Sequence, residues 1–153
     1  DLHHGNGTQG IFYARDDVFT ASIHADPERF YPFFWGAASE RGEGLGLSYN
    51  LNVPLPRQTG DDGFINGLDH LLETVDAYSP GAIVIALGLD ASIDDPFGGL
   101  NVSTDGFSRI AERIAQLGKP TVLVQEGGYL SPTLGKNLDA FLQGYDKFHS
   151  IEK

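Results

Sequence analysis

A run of six apolar residues at positions 82–87, Ala-Ile-Val-Ile-Ala-Leu, constrains the fold of this chain more than any other stretch. An uninterrupted apolar run of this length is typical of a parallel strand that helices cover on both faces. A second apolar run at 121–124 has the same character, and between the two lies an amphipathic segment that begins at Ser103 and Thr104. Strands that alternate with helices predict an α/β domain, in which a parallel sheet is flanked by helices.

The same alternation continues in the rest of the chain. Apolar residues with helical spacing follow Asp61 and Asp62 and end at Ser79, which predicts a helix capped by one of these aspartates. The long stretch 24–47 is rich in aromatic residues and glycine, so we expect it to form the wall of a pocket rather than a disordered loop. Four further segments carry strand or helix patterns: strands at 18–23 and 49–53, and helices at 8–13 and 134–145.

Composition limits the classes of function. The chain has 153 residues, the usual size of one domain, and we expect residues 1–153 to form a single unit. Its 21 acidic and 10 basic residues give a net charge of −11, which disfavours nucleic acid and anionic membrane surfaces as partners. No apolar run is long enough to span a bilayer, so we expect a soluble, cytoplasmic protein. Because cysteine is absent, any metal must be bound by histidine and carboxylate.

The opening residues, Asp-Leu-His-His-Gly-Asn-Gly-Thr, contain a spacing that is typical of metal ligands. Asp1 and His3 are separated by one residue, so at the end of a strand their side chains would point the same way and could bind one ion. A carboxylate and an imidazole suit Zn²⁺ or another divalent first-row metal, provided that a third protein ligand comes from elsewhere. A surface turn, or a buried histidine with hydrogen-bond partners, is the simpler explanation of so short a motif.

Polar residues follow both apolar runs where each predicted strand ends. Asp90 comes shortly after the first run, and Tyr129 follows the second after Glu-Gly-Gly. Ligands of α/β proteins bind beyond the carboxyl ends of parallel strands. We therefore expect the Asp1/His3 pair, Asp90 and Tyr129 to lie at one edge of the sheet.

Four motifs occur in order along the chain: residues 1–8, Ser22-Ile23-His24, Leu87-Gly88-Leu89-Asp90 and Glu126-Gly127-Gly128-Tyr129. Together they resemble the histone deacetylase superfamily, above all its bacterial acetylpolyamine amidohydrolase and histone deacetylase-like amidohydrolase branch. The resemblance runs from Asp1 to about Gly144 and implies the C-terminal portion of an arginase/deacetylase-like fold. It also implies a zinc-dependent amidohydrolase that removes acetyl groups from acetylated amines, such as acetylpolyamines or acetyl-lysine.

The resemblance implies a metal site and a catalytic residue. Asp1, His3 and Asp90 match the family's three zinc ligands. Tyr129 matches the tyrosine that hydrogen-bonds the substrate carbonyl. Family members also bind structural potassium or sodium ions, and the carbonyl groups near Asp1, His3 and Ile23 would match one such site.

Further positions are matched around this site. Asn6 corresponds to a residue that orients a catalytic histidine, and Tyr31 to a residue of the substrate tunnel wall. Gly127 and Gly128 are expected to line the tunnel and to let their loop bring Tyr129 over the metal. The implied partner is a small-molecule or lysine-containing acetylated amine.

Other family features are missing from the sequence. In relatives the tandem histidines that act as general base and acid lie upstream of the Asp-x-His motif, whereas here Asp1 is the first residue and no initiator Met precedes it. We therefore expect a fragment, with negligible hydrolase activity by itself because it lacks a positioned base. Half of a parallel sheet would expose apolar surface, so we also expect association with the missing N-terminal half or a homo-oligomer.

Two other functions fit parts of the sequence. One is a non-catalytic module that binds a metal or a protein partner. The other is an arginase-like ureohydrolase, whose two manganese ions need additional aspartates. Ala-Ser-Ile at 91–93 disfavours the ureohydrolase, since no second ligand motif stands beside Asp90.

Several other polar residues have simpler interpretations. His4 would face away from its ligand neighbour and is predicted to be structural, while packing and pocket lining fit His24 equally well. His70 and His149 are predicted to be solvated. The acidic pair at 94–95 is interpreted as a solvated loop that precedes Pro96.

Overall fold

The computed structural model describes residues 1–149, with side chains as far as residue 147. The side chain of His149, which is predicted to be solvated, and residues 150–153 of the predicted 1–153 unit lie outside this part. None of the described helices is sufficiently long and apolar to traverse a membrane. Helices and strands alternate, as predicted for an α/β fold: α1 (Asn6–Phe12), β1 (Thr20–Ala25), β2 (Asn50–Leu55), α2 (Asp61–Tyr78), β3 (Ile83–Leu87), α3 (Thr104–Ala115), β4 (Thr121–Gln125) and α4 (Leu134–His149).

The four strands form two parallel pairs, β1 with β2 and β3 with β4. Leu2 connects the two pairs at their carboxyl ends. Its carbonyl oxygen accepts the N–H of Ala25 at 2.9 Å, and its own N–H donates to Asp90 Oδ1 at 2.7 Å. Because Leu2 is fully buried, the opening residues are held where both strand pairs end.

A local hydrogen bond caps the start of α3, whereas α2 begins without a side-chain cap. The hydroxyl of Ser103 caps α3 by accepting the N–H of Gly106 at 3.0 Å, as the sequence predicts. The predicted aspartate cap of α2 is wrong, because Gly60 occupies the cap position and Asp61 is the first residue of the helix. Asp61 instead joins the two helices, since its carboxylate accepts both the N–H and the hydroxyl of Ser103, at 2.7 and 2.6 Å.

The strand boundaries differ from the predicted ones. β1 begins at Thr20 rather than at 18, and β2 continues to Leu55 although the sequence predicts that Pro54 ends it. Pro54 stands opposite His24 in the parallel pair. Each strand of this two-stranded pair is an edge strand, where the missing N–H of proline is tolerated.

The core lies between the helices and one face of the strands. Its members are apolar side chains from α2, α3 and α4, from the strand ends and from the segments that connect these elements. Burial of one large side chain stabilises the fold by about 1.5–3 kcal/mol. The main members are Leu2, Phe64, Leu68, Leu87, Leu100, Val102, Phe107, Ile110 and Phe141.

No helix within residues 1–149 covers the other face of the β3–β4 pair. Ile85 and Leu123 pack against the core, whereas Val84, Val122 and Val124 are exposed, and 72% of Val84 is accessible. The expectation that helices cover both faces of this sheet is therefore wrong for residues 1–149. The apolar run at 82–87 thus contains a strand whose two faces are both apolar, and the described helices bury one of these faces.

Candidate metal centre

The three predicted ligands converge at the carboxyl ends of the strands. Asp1, His3 and Asp90 each place a ligand atom within 4.8 Å of the other two. His3 Nδ1 lies 3.1 Å from Asp1 Oδ1 and 3.3 Å from Asp90 Oδ2. These separations match the edge of a tetrahedron, about 3.3 Å when metal–ligand bonds are about 2.0 Å long. Two carboxylates and one imidazole are therefore a donor set that fits zinc.

Asp90 is a fully buried carboxylate. Its Oδ1 accepts the N–H of Leu2, whereas its Oδ2 has no hydrogen-bond partner among the described residues. Burial alone would raise the pKa of Asp90, but the His3 ring and the Leu2 N–H lower this pKa below its ordinary value. Asp90 is thus ionised at neutral pH, and its buried Oδ2, which lies 3.3 Å from His3 Nδ1 and makes no hydrogen bond to the described residues, favours a cation beside it.

Gly127 lies directly against the carboxylates of Asp1 and Asp90. Its N–H donates to Asp1 Oδ2 at 3.1 Å, and its carbonyl oxygen accepts the N–H of Leu89 at 3.0 Å. A methyl group at this position would collide with a carboxylate oxygen of each aspartate. Only glycine permits this approach of the backbone, and Gly128 beside it has a φ of 127°, a conformation that favours glycine.

Aromatic rings surround His3. The Phe30 ring stacks on the imidazole, with a centroid distance of 5.2 Å and an interplanar angle of 15°. Tyr31 and Phe97 meet the same ring edge-on, at 5.8 and 5.9 Å. Tyr31 thus lies beside the metal-ligand cluster, and its place in a tunnel wall stays a prediction.

Tyr129 contacts the Phe97 ring, which in turn contacts the His3 ring. The Tyr129 and Phe97 rings meet edge-on with centroids 4.5 Å apart, and 42% of Tyr129 is accessible. The backbone N–H of Tyr129 donates to Asp95 Oδ2 at 3.3 Å. Because Phe97 contacts both the His3 and the Tyr129 rings, it joins the candidate ligand to the candidate catalytic residue.

The sequence does not predict the roles of two residues in this region. It provides no indication that Phe97 belongs to the site, and it predicts that Asp95 lies in a solvated loop. That prediction is wrong, since only 6% of Asp95 is accessible while Asp94 is exposed. The available signal is the position of both residues in the loop that directly follows Asp90.

The histidines near the cluster are internal. His4 is buried, with Nε2 2.9 Å from Gln9 Oε1, so its predicted structural role is confirmed. His24 is also buried, where its ring nitrogens lie near the Ser22 hydroxyl and the Gly36 carbonyl oxygen, at 2.8 and 3.0 Å. Burial lowers the pKa of His24 to about 4 and also lowers that of His4, so both rings are neutral at pH 7. His24 therefore packs in the interior rather than lining a pocket.

Asn6 is the first residue of α1, and its N–H donates to the carbonyl oxygen of His4 at 2.9 Å. Its orienting role stays a prediction. Among residues 1–149 the cluster of Asp1, His3 and Asp90 is the one group of side chains close enough to share a metal. The buried neighbours Ala91 and Ser92 add no carboxylate for a second ion.

Comparison with known protein sequences identifies the family of this chain. The Histone deacetylase domain family matches residues 1–145. Acetylpolyamine amidohydrolase 1 of Pseudomonas aeruginosa is 47% identical over 146 residues, which are 95% of this chain and 42% of that protein. Histone deacetylase 8 of Arabidopsis thaliana is 35% identical over 158 residues, covering 94% of this chain and 40% of that protein.

Solved structures similar to this chain include an acetylpolyamine aminohydrolase and an HDAC homolog. The crystal structure of acetylpolyamine aminohydrolase from Burkholderia pseudomallei superposes with a TM-score of 0.94 and 44% identity, over 97% of this chain and 43% of that one. An HDAC homolog from Aquifex aeolicus superposes with a TM-score of 0.89 and 32% identity, over 95% of this chain and 40% of that one. The chain spans less than half the length of each of these proteins.

Proposed function

The chain belongs to the histone deacetylase family, and from this premise we propose that residues 1–153 are the C-terminal part of the catalytic domain of a zinc-dependent deacetylase. The parent protein would hydrolyse the amide of an acetylated amine, such as an acetylpolyamine or acetyl-lysine, to acetate and the free amine. The observation that carries this proposal is the convergence of Asp1, His3 and Asp90 from two distant parts of the chain.

We assign the metal to these three side chains. The two carboxylates supply negative charge, and His3 supplies the nitrogen ligand that is favoured by zinc. When bound, zinc polarises the amide carbonyl and makes a water molecule more acidic. A structural potassium or sodium ion stays a prediction.

Tyr129 has the proposed catalytic role. A phenol hydroxyl can donate a hydrogen bond to the oxygen that becomes negative as the amide carbon turns tetrahedral, and one such donor contributes about 2.7–4 kcal/mol. The adjacent Gly127 and Gly128 allow the loop to approach the carboxylates closely, which supports this placement of the ring.

Aromatic side chains would form the substrate tunnel. Phe30, Tyr31 and Phe97 surround His3 and present apolar surface suited to the aliphatic stem of an acetylated amine. The same aromatic stretch of the chain also lines a cavity of about 260 Å³, to which Asp26 and Glu28 contribute together with aromatic residues. Carboxylates and aromatic faces both attract ammonium groups, which supports a cationic substrate. The cavity is lined by Asp26, Pro27, Glu28, Phe33, Phe34, Trp35 and Ala37.

We further propose that the chain by itself has negligible activity and associates with the remainder of a longer deacetylase domain. His4 and His24, the histidines closest to the cluster apart from His3, are buried and hydrogen-bonded within the fold, so neither is available as a general base. The uncovered valines of β3 and β4 supply an apolar surface of the kind that another part of a domain would bury. The matched relatives are more than twice as long as this chain, which supports the rest of such a domain as the occupant.

The test uses the natural full-length protein with an acetylated diamine and an acetyl-lysine peptide as substrates. We expect zinc-dependent release of acetate, with kcat lowered roughly 10²–10³-fold in Tyr129→Phe while zinc affinity is unchanged. Tyr78→Phe is the matched control, because Tyr78 packs on Phe19 and Tyr49 elsewhere. If the wild-type protein releases acetate from neither substrate, the proposed function is ruled out. Full turnover by the isolated chain would rule out the proposed inactivity of that chain.

A further inference from the structure

Asp95 connects two loops of the candidate site. It lies in the loop between β3 and α3, and its carboxylate is buried. Asp95 Oδ1 accepts the backbone N–H of Phe97 at 2.9 Å, while Oδ2 accepts the backbone N–H of Tyr129, from the loop after β4, at 3.3 Å. One carboxylate therefore binds the backbone of both residues whose rings meet beside His3.

The Asp95 side of this connection is firmly anchored. The Asp95 N–H donates to the carbonyl oxygen of Ser92 at 3.1 Å. Ser92 is buried, and its hydroxyl oxygen accepts the side-chain amide of Asn137 from α4 at 3.0 Å. Asn137 in turn accepts the hydroxyl of Thr104, the first residue of α3, at 2.6 Å. The carboxylate thus projects from a segment that is tied to two core helices.

On the Tyr129 side, hydrogen bonds hold the backbone of Gly127, and the restraint weakens after it. Gly128 directly precedes Tyr129, whose side chain is 42% accessible, and the next residue, Leu130, is 94% accessible. Glycine leaves a backbone free to adopt many conformations, so a tyrosine after Gly-Gly needs another contact to fix its direction. The contacts present are the hydrogen bond to Asp95 and the edge-on contact with the Phe97 ring.

We propose that Asp95 is a positioning residue, which sets the orientation of Tyr129 for the hydrolysis by fixing the backbone of Tyr129 and Phe97 together. This inference rests on the proposed function. The hydrogen bonds of the Asp95 carboxylate go to the backbone of Phe97 and Tyr129, so we expect it to act through Tyr129.

The chemistry explains why an acidic residue is needed at this position. Two N–H donors require two acceptor oxygens, and a carboxylate supplies both. An amide of the same shape supplies one oxygen and one NH₂ group, so Asp95→Asn would set a donor against one of the two backbone N–H groups. Asp94 is the matched control: among the described residues its carboxylate accepts one hydrogen bond, from the Thr133 hydroxyl at 2.9 Å, which an amide oxygen can still accept.

The test compares variants of the natural full-length protein, loaded with zinc, on the substrate that the wild type deacetylates. We expect Asp95→Asn to lower kcat roughly tenfold or more with KM changed less than about threefold, because the tyrosine donates in the transition state. In the Tyr129→Phe background the same substitution should have little further effect. Asp94→Asn should leave kcat and KM unchanged, both in the otherwise wild-type protein and in the Tyr129→Phe variant.

Two results would overturn the inference while leaving the function intact. One is an active wild-type protein whose Asp95→Asn variant retains full kcat. The other is an equal loss from Asp95→Asn in the Tyr129→Phe background, which would mean that Asp95 acts independently of the tyrosine. If Asp95→Asn does not fold, amide hydrogen exchange of the wild-type protein decides: protection of the Tyr129 N–H supports the hydrogen bond, and exchange at the rate of an unstructured peptide excludes it.

Discussion

Replacement of Asp90 by asparagine is the sharpest test of the metal centre. Asparagine keeps the shape of the side chain and can still accept the Leu2 N–H through its Oδ1, so the fold should persist. It removes the negative charge from the buried Oδ2 position, 3.3 Å from His3 Nδ1. Because the fold lowers the pKa of Asp90 and so favours its ionised form, we expect the metal-free variant to fold but to be somewhat less stable than the wild type, and to lose most of its response to zinc.

The size of this effect follows from linkage between binding and folding. Changes at residues that merely orient ligands cost 10–100-fold in metal affinity, so loss of one of three ligands should cost about 100-fold or more. At a free zinc concentration of about 100 times the wild-type Kd, the wild type gains about 2.7 kcal/mol of unfolding free energy. A variant whose Kd is about 100-fold weaker gains about 0.4 kcal/mol at the same concentration.

The measurement is urea unfolding of both proteins with and without zinc, with the bound metal quantified after gel filtration. Asp94→Asn is the matched control, since it makes the same change at an exposed position of the same loop. Equal stabilisation of the wild type and Asp90→Asn by zinc would refute the reasoning, because Asp90 could not then be a ligand.

Three further predictions concern the packing around the site and the core. Gly127→Ala should weaken zinc binding at least tenfold in a calorimetric titration, since the methyl group collides with both candidate carboxylates, whereas Gly135→Ala, where the structure is open, should not. As the pH is lowered from 6.5 to 4, the free energy of unfolding should fall by on the order of 3 kcal/mol. The reason is that His24 binds a proton in the unfolded chain, whereas the buried ring, with its pKa of about 4, stays largely neutral. Equal free energies of unfolding at pH 6.5 and pH 4 would contradict the burial of His24. Phe141→Ala should cost about 3–5 kcal/mol in urea unfolding, since Phe141 is fully buried, and a loss below about 1 kcal/mol would show that the cavity collapses.

The helices were predictable because their signals are local. Ser103 before an amphipathic segment predicts the start of α3, and its hydroxyl caps that helix as expected. The strand ends are less well predicted, because pairing rather than the strand's own residues decides where a strand stops. Pro54 illustrates this, since it remains inside β2 at the edge of a pair.

The site was predictable only in part. The spacing of Asp1 and His3 indicates a metal pair, and the position of Asp90 after a strand places it at the same edge of the sheet. The hydrogen bond between the Leu2 N–H and Asp90 spans 88 positions of the chain, and the one between Gly127 and Asp1 spans 126. No local pattern determines contacts over such separations, which is why the four-motif resemblance was needed to connect them.

By itself the sequence determined the order of strands and helices, the residue types available as metal ligands and the family to which the chain belongs. These depend on periodicity, spacing and motif, which neighbouring residues carry. The tertiary structure alone decided that Asp95 is buried while Asp94 is exposed, that Phe97 lies between the His3 and Tyr129 rings, and that one face of β3 and β4 is uncovered. Burial and contact depend on which distant segments pack together, and adjacent residues of the same chemical type can differ in both.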